Sequence, residues 1–160
     1  MSKIDTDYMT AYNKTKQKGF TLIELLVVIG ILAVLLSITL IAINPARQFA
    51  QANNTQRRSD VNSLLNAINQ YMADNNGDLP TGIDGIVRDV SSSGANICAA
   101  LVPEYIAALP VDPSATDSAP IEEADCTSYD TNYQVIQTSN SRITVSAPDA
   151  ELSETITVTR

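Results

Sequence analysis

The sequence predicts an α+β protein in which one long N-terminal helix, first membrane-spanning and then amphipathic, packs on a small antiparallel sheet of about three strands. Three patterns carry this. Residues 25–43 contain no charge, and fourteen of the nineteen are Leu, Ile or Val. Val61, Leu64, Leu65, Ile68, Tyr71 and Met72 then recur at spacings of three and four, the period of a helix with one buried face. Near the end, "NYQVIQTSNSRITVSA" and "ETITVTR" alternate apolar and polar residues, the period of a half-buried strand.

The first element follows a basic stretch. Lys3, Lys14, Lys16 and Lys18 outnumber Asp5 and Asp7 in residues 1–19, and no Lys follows Lys18. As a helix, the uncharged run rises about 28 Å, close to the ~30 Å hydrocarbon core of a bilayer. A helix buried in a small domain would show a polar face, and this run has none. A removable secretory signal is shorter and ends at small residues, whereas this run passes into a polar helical pattern. Lysines before the run and an acidic body after it place the start in the cytoplasm and export the body. Glu24 stands one residue before the uncharged stretch. The helix dipole favours an acidic side chain in a first turn, which accounts for tolerance but not for a function. Gly30 lowers helix propensity by about 1 kcal/mol relative to Ala and reads as a soft point or a close helix–helix contact.

Pro45 cannot donate to the carbonyl of Ile41 and disfavours helical geometry at Asn44, so a kink is expected there. Residues 46–75 continue as helix. Residues 53–60 are polar on all sides and read as a solvated connector, with Arg57 and Arg58 on a solvated face. The apolar stripe beyond them should pack on the exported part, Tyr71 and Met72 included. Gly77 reads as the left-handed residue just past the helix, with Pro80 beyond it. Residues 81–96, rich in Gly and Ser, read as loop, and residues 97–102 as a short helix carrying Cys98. Two strands follow, joined by a polar turn at Ser139, Asn140 and Ser141, and a third strand alternates Ile156 and Val158 with Thr.

Composition excludes several functions. Formal net charge is −8; the first 19 residues contribute +2, which leaves −10 for the rest. Phosphate recognition needs clustered Lys and Arg, so nucleic acid is not an expected partner. There is no His, so the usual general base and the commonest metal ligand are missing and no Ser–His–Asp or Cys–His site can be built; the chain is not expected to be an enzyme. The alternatives for Cys98 and Cys126 are two buried thiols or, in an exported body, a disulfide. A bridge would close a loop of about 29 residues, worth roughly 3–4 kcal/mol in the loop-entropy picture.

"KGFTLIELLVVIGIL" resembles the signal and N-methylation motif of type IV pilins and type II secretion pseudopilins, through Gly19-Phe20, Thr21, Leu22, Glu24 and the unbroken apolar helix. "LVPEYIAALPVDP" at residues 101–113 is similar to a segment that follows the long helix in many pseudopilins. The resemblance implies a pilin fold with a cytoplasmic leader at 1–19, a transmembrane and filament-core helix at 20–43, an amphipathic continuation at 44–75 and an exported head at 76–160. It implies that a prepilin peptidase cuts between Gly19 and Phe20, that the new amine of Phe20 is methylated, and that Glu24 pairs with that amine on a neighbouring subunit. Glycine before the cut lets the peptidase approach the backbone closely. The implied partners are copies of the chain, other pilins, the peptidase, the inner-membrane assembly platform and, before assembly, the bilayer. The chain would be single-pass in the inner membrane first and part of an extracellular or periplasmic filament afterwards.

Within that family the expected function is a structural subunit of a type IV pilus, on the strength of the Ser/Thr-rich strands, the extra loop and the cysteines. The alternatives are a pseudopilin of a secretion or DNA-uptake machine, towards which the 101–113 segment leans, and an adhesive minor pilin. No cofactor is required. Calcium is the one metal considered, because major pseudopilins carry it in a comparable loop and oxygen-rich sequence suits it. Its candidate ligands are Asp112, Asp117, Asp125 and Asp130, although no EF-hand spacing is present.

Overall fold

The computed structural model describes residues 19–160. The basic stretch expected to form most of a leader lies outside them. The described elements are α1 (Leu22–Ala42), α2 (Pro45–Asp74), β1 (Arg88–Ser91), α3 (Cys98–Leu101), a 3-10 turn (Glu123–Asp125), β2 (Asp130–Gln137), β3 (Ile143–Ala147) and β4 (Ile156–Thr159). The chain divides into two compact units after Asn44.

In the first unit, α1 is one continuous helix through Gly30, where a Cβ would meet nothing within 4 Å. None of its residues is buried, and its most apolar 18-residue window has a mean hydropathy of 3.1. By length and composition it can cross a membrane. Its hydroxyls are satisfied inside the helix: Ser37 Oγ donates to the Ala33 carbonyl at 2.8 Å and Thr39 Oγ1 to the Leu36 carbonyl at 2.9 Å. A polar group in hydrocarbon needs such a local partner. At Pro45 the helix is fully interrupted: Ile43 is extended (φ −97°, ψ 120°), Asn44 is not helical, and Pro45 opens α2. Proline suits a first helical position, where its missing N–H has no partner to lose.

The second unit is a two-layer α+β head of 45–160, and α2 belongs to it. Its sheet has four antiparallel strands in the order β1-β2-β3-β4, one more than the sequence predicts. The β2–β3 pair aligns Gln134 with Ser146 and Ile136 with Thr144, and β3–β4 aligns Thr144 with Thr159. The additional strand, β1, arises inside the segment that reads as loop. It is only four residues long and reaches β2 through a register shift between Asp89 and Ser91, so it shows no alternation to detect. The turn after it depends on Gly94, where a Cβ would lie 2.3 Å from the Asp89 carbonyl oxygen.

Alternation sends Tyr133, Val135, Ile143 and Val145 to the face that meets Val61, Leu64, Leu65 and Ile68 of α2. Burying each of these large side chains contributes about 1.5–3 kcal/mol. Ile97, Leu101 and Leu109 close the core, and Tyr71 and Met72 pack on its margin, with the Tyr71 ring edge-on to Tyr105 at 5.6 Å. At the helix stop Gly77 has the positive φ expected of it (94°), and Asn76 before it is left-handed as well (φ 56°), while the Gly77 N–H closes back to the Met72 carbonyl at 2.7 Å. Asparagine tolerates this region better than other side chains.

Cys98, in α3, and Cys126, just after the 3-10 turn, form a disulfide with Cα atoms 5.3 Å apart. It ties the long 102–129 excursion to the core. The Cys98→Ala/Cys126→Ala variant should lose about 3 kcal/mol of stability, read as a lower urea midpoint with an unchanged fold by circular dichroism. An unchanged midpoint would remove the bridge from the list of what holds the head.

Candidate assembly site

The N-terminal end of α1 is built by Thr21 and Glu24. Thr21 is the N-cap, extended at φ −82° and ψ 153°. Its Oγ1 accepts the Glu24 N–H at 3.3 Å, and Glu24 Oε2 accepts the Thr21 N–H at 2.8 Å and the Thr21 hydroxyl at 2.7 Å. This is a reciprocal capping box, which satisfies two otherwise unpartnered helix N–H groups. The signal was in the sequence as Thr-x-x-Glu, and reading Glu24 as a dipole-tolerated residue missed it. The box turns the carboxylate back towards the start of the helix, onto the Thr21 N–H and hydroxyl. A Cβ on Gly19 would meet nothing within 4 Å, so the fold of this chain does not demand glycine there.

A second polar constellation lies in the head, where the sequence predicts a solvated connector. Arg57 is fully buried and Asn54 with it, because the stripe on α2 runs back through them to Ala50. All five guanidinium N–H donors of Arg57 find acceptors. Nε and Nη2 hold the two Asp112 oxygens at 2.7 and 2.9 Å, Nη2 also reaches Ser114 Oγ at 3.0 Å, and Nη1 reaches Asn54 Oδ1 and Glu151 Oε2, each at 3.0 Å. The Asn54 amide exchanges hydrogen bonds with the Glu151 backbone at 2.8 and 2.9 Å. One turn on, Asp60 accepts the Tyr133 hydroxyl at 2.8 Å. On the exposed side Arg58 pairs with Glu154. Among the described residues no buried side-chain polar atom lacks a partner.

This network shifts its carboxyls in opposite directions. Burial pushes Asp112 up, but Arg57 and Ser114 outweigh it and hold the group below the ordinary aspartate range. Asn53 and Arg57 hold Glu151 down. Burial pushes Asp60 up, partly offset by Tyr133.

The structure does not assemble the four calcium candidates. Asp112 is buried and fully engaged by Arg57 and Ser114. Asp125 sits apart, exposed in the 3-10 turn. Asp117 and Asp130 do line one open hollow of about 420 Å³, together with Ser93 and Ser128. Asp117 Oδ1 accepts the Ala119 N–H at 3.2 Å, and Asp130 Oδ1 the Asn132 N–H at 3.0 Å. Among the described residues no three acidic, Cys or His side chains converge as metal ligands. A four-carboxylate site therefore does not fit.

A family model described as the prokaryotic N-terminal methylation motif matches residues 14–40. The chain is 38% identical over 104 residues to the type II secretion system core protein G of Klebsiella pneumoniae, covering 64% of this chain and 72% of that protein. It is 34% identical over 117 residues to the protein of the same name in Escherichia coli K12, covering 72% and 79%. Against that of Aeromonas hydrophila it is 40% identical over 78 residues, covering 47% and 52%. No solved structure is significantly similar to the chain. The first two matches are far longer than the methylation motif, so they extend into the head. They favour the pseudopilin reading over the surface pilus that the sequence suggested first.

Removing Arg57 leaves a buried unpaired carboxylate, so Arg57→Leu should destabilise the head by about 3–5 kcal/mol, while Arg57→Met with Asp112→Leu should recover most of that loss. Two depressed carboxyls contribute stability that is complete above their unfolded pKa of about 4 and is lost as pH falls through their lower folded values. Asp60 acts with the opposite sign: its raised value disfavours the fold at neutral pH, and acidification relieves this. The melting temperature should therefore fall below about pH 4, and fall less steeply in Asp112→Asn. Parallel pH profiles for wild type and Asp112→Asn would show that the pair is not the acid-labile element.

Proposed function

We propose that this chain, which belongs to the type II secretion core protein G family of pseudopilins, is the repeating structural subunit of a periplasmic pseudopilus. The observation that carries the reading is the similarity to core protein G over 104 and 117 residues, lengths that the methylation motif at 14–40 cannot account for. A methylation motif alone is common to pilins and pseudopilins; a matching head is not. Assembly with other pilin-like subunits in a secretion system follows from the family. So does a structural role, with nothing asked of the chain as a catalyst.

The mechanism begins with α1 holding the chain in the inner membrane, head exported. A prepilin peptidase cuts after Gly19, and the amine of Phe20 is methylated. Glu24 is already turned towards that end of the helix by the capping box. Before the cut its carboxylate takes the Thr21 N–H and hydroxyl. After the cut it also meets an ammonium, and the lowest-cost arrangement in an apolar filament core pairs that ammonium with the Glu24 of a neighbour. A subunit at the wrong axial height leaves both charges unpaired, so the pair selects register more than it adds net stability. Subunits leave the bilayer by exchanging lipid for the α1 helices of other copies.

Shearing, electron microscopy and mass spectrometry test this together. Filaments should contain the chain as the abundant subunit, beginning at methylated Phe20, and deletion of the chain should stop secretion of exported substrates. Glu24→Gln should be cut normally and assemble at least about tenfold less, since one misplaced charge pair of a few kcal/mol is worth that much. Normal assembly of the cut Glu24→Gln subunit would sink the register role, and long surface fibres with secretion intact would return the chain to the pili.

Calcium enters this reading only through Asp117 and Asp130, with Ser93 and Ser128 oxygens beside them. Such a hard-oxygen set would bind the ion chiefly to steady the loop around residues 117–130. Excess calcium should raise the melting temperature of the head relative to chelator, and Asp117→Asn should abolish the rise while Asp125→Asn keeps it. A flat response in wild type removes calcium from the mechanism.

A further inference from the structure

Asn76-Gly77 is the one Asn-Gly pair in the sequence, and it lies just past the end of α2. Both residues are exposed, and both have positive φ, 56° at Asn76 and 94° at Gly77. The neighbouring groups are tied down. Asn75 Nδ2 donates to the Tyr71 carbonyl at 2.8 Å, and the Asp78 N–H donates to the Asn75 carbonyl at 3.0 Å. The Asn76 side-chain amide has no hydrogen bond among the described residues. The nitrogen that follows it is in the opposite state: the Gly77 N–H is held on the Met72 carbonyl at 2.7 Å.

A free asparagine amide beside a glycine nitrogen has a chemistry of its own. Once the Gly77 nitrogen gives its proton to hydroxide, it can attack Asn76 Cγ. A bond forms from that nitrogen to Cγ, and the bond from Cγ to the side-chain nitrogen breaks. Ammonia leaves with a proton from water, which restores the hydroxide. Water then opens the five-membered imide at either carbonyl, giving aspartate or isoaspartate. Glycine obstructs this attack least of all successors, since no Cβ stands beside its nitrogen. In the folded head the bond to Met72 both retains the proton and fixes the nitrogen in place.

We propose that Asn76-Gly77 is a latent modification site, whose reactants are its own backbone and water, closed by the helix stop and unmasked when that stop opens. A helix end opens locally at far lower cost than the whole head unfolds, so the site responds to fraying of α2. The product alters the stop that guarded it. It adds a carboxylate near Asp74 and Asp78, at a helix end that carries partial negative charge and has no basic residue in its last turn. Isoaspartate also inserts a methylene into the main chain, which takes the Gly77 N–H out of register with the Met72 carbonyl. Tyr71 and Met72, packed on the margin of the core in that last turn, then lose their fixed end. Modification therefore records an opening and hinders its reversal.

The test ages the purified full-length chain in detergent micelles at mildly alkaline pH, folded and in guanidinium chloride. Peptide mapping by mass spectrometry, resolving aspartate from isoaspartate, follows each asparagine. Asn76 should convert first in guanidinium, and at least about tenfold more slowly in the folded chain, the factor that an opening cost of about 1.4 kcal/mol supplies. In the folded chain its conversion should track hydrogen exchange of the Gly77 amide. Asn76→Gly, which keeps the positive φ, should show no conversion at this position. Asn76→Asp, which carries the charge of the product, should lower the melting temperature of the head by a few degrees. Equal rates in the folded and unfolded chain overturn protection by the stop, and another asparagine converting first in guanidinium overturns the site. A melting temperature unchanged in both Asn76→Asp and the aged, isoaspartate-bearing chain overturns the effect on the helix end.

Discussion

A guanidinium with no contact to water has to be neutralised and hydrogen-bonded within the protein, and in this head that requirement falls on Arg57. Its five donors specify where five acceptors must be. Two sit on the Asp112 carboxylate, which brings the end of the 101–113 segment against α2. One sits on Glu151, which brings in the turn before β4, and Asn54 and Ser114 supply the rest. The Asp112 N–H in turn donates to the Thr131 carbonyl at 3.0 Å, so the same loop is tied to β2. Helix, loop, turn and sheet are thus registered on one cation. The apolar core one turn further on adds most of the free energy, but apolar contacts are non-directional and tolerate sliding. The charged seam does not.

The membrane helix answers to the opposite constraint. In α1 every polar group turns inward on its own helix: Ser37 and Thr39 bond to carbonyls behind them, and Thr21 and Glu24 satisfy each other. None of its residues is buried. In the proposed function its cover is lipid first and other copies in the filament. The capping box has a consequence here. A carboxylate at the edge of a bilayer is expensive unless it has donors, and the Thr21 N–H and hydroxyl supply them.

The two constraints divide the work of the chain. One unit is apolar on all sides and satisfied only locally. The other has a polar seam whose charges are neutralised across long sequence distances, with Arg57 and Asp112 separated by 55 positions.

The long helices, the β2–β3 hairpin, β4 and the short helix at Cys98 were legible because their signals are local: a period of 3.6 or 2, an uncharged run, a proline. Thr21-x-x-Glu24 was equally local and equally readable. Arg57 was readable in a different way. Ala50, Asn54, Arg57, Val61, Leu64 and Ile68 continue one alternation of four and three, and counting only apolar members of the stripe hid its polar half. What the sequence could not reveal was the partner. Asp112 lies in an acidic stretch where any of several carboxylates suits a calcium ion on paper, and only the fold sends this one inward and leaves Asp117 and Asp130 at the surface. Likewise β1 is too short and irregular to have a period of its own, and it exists because β2 offers it an edge. The sequence by itself determined the anchor, the helix stripe, the strand faces and the end of the helix at which Glu24 sits, since each follows from the preferences of neighbouring residues. The tertiary structure alone decided which carboxylate meets Arg57, which apolar side chains remain outside, and which acceptors admit Asn54 and Arg57 of an otherwise solvated polar stretch to the interior. Those are outcomes of long-range burial, where a charge is admitted only if the rest of the chain brings its partners to it.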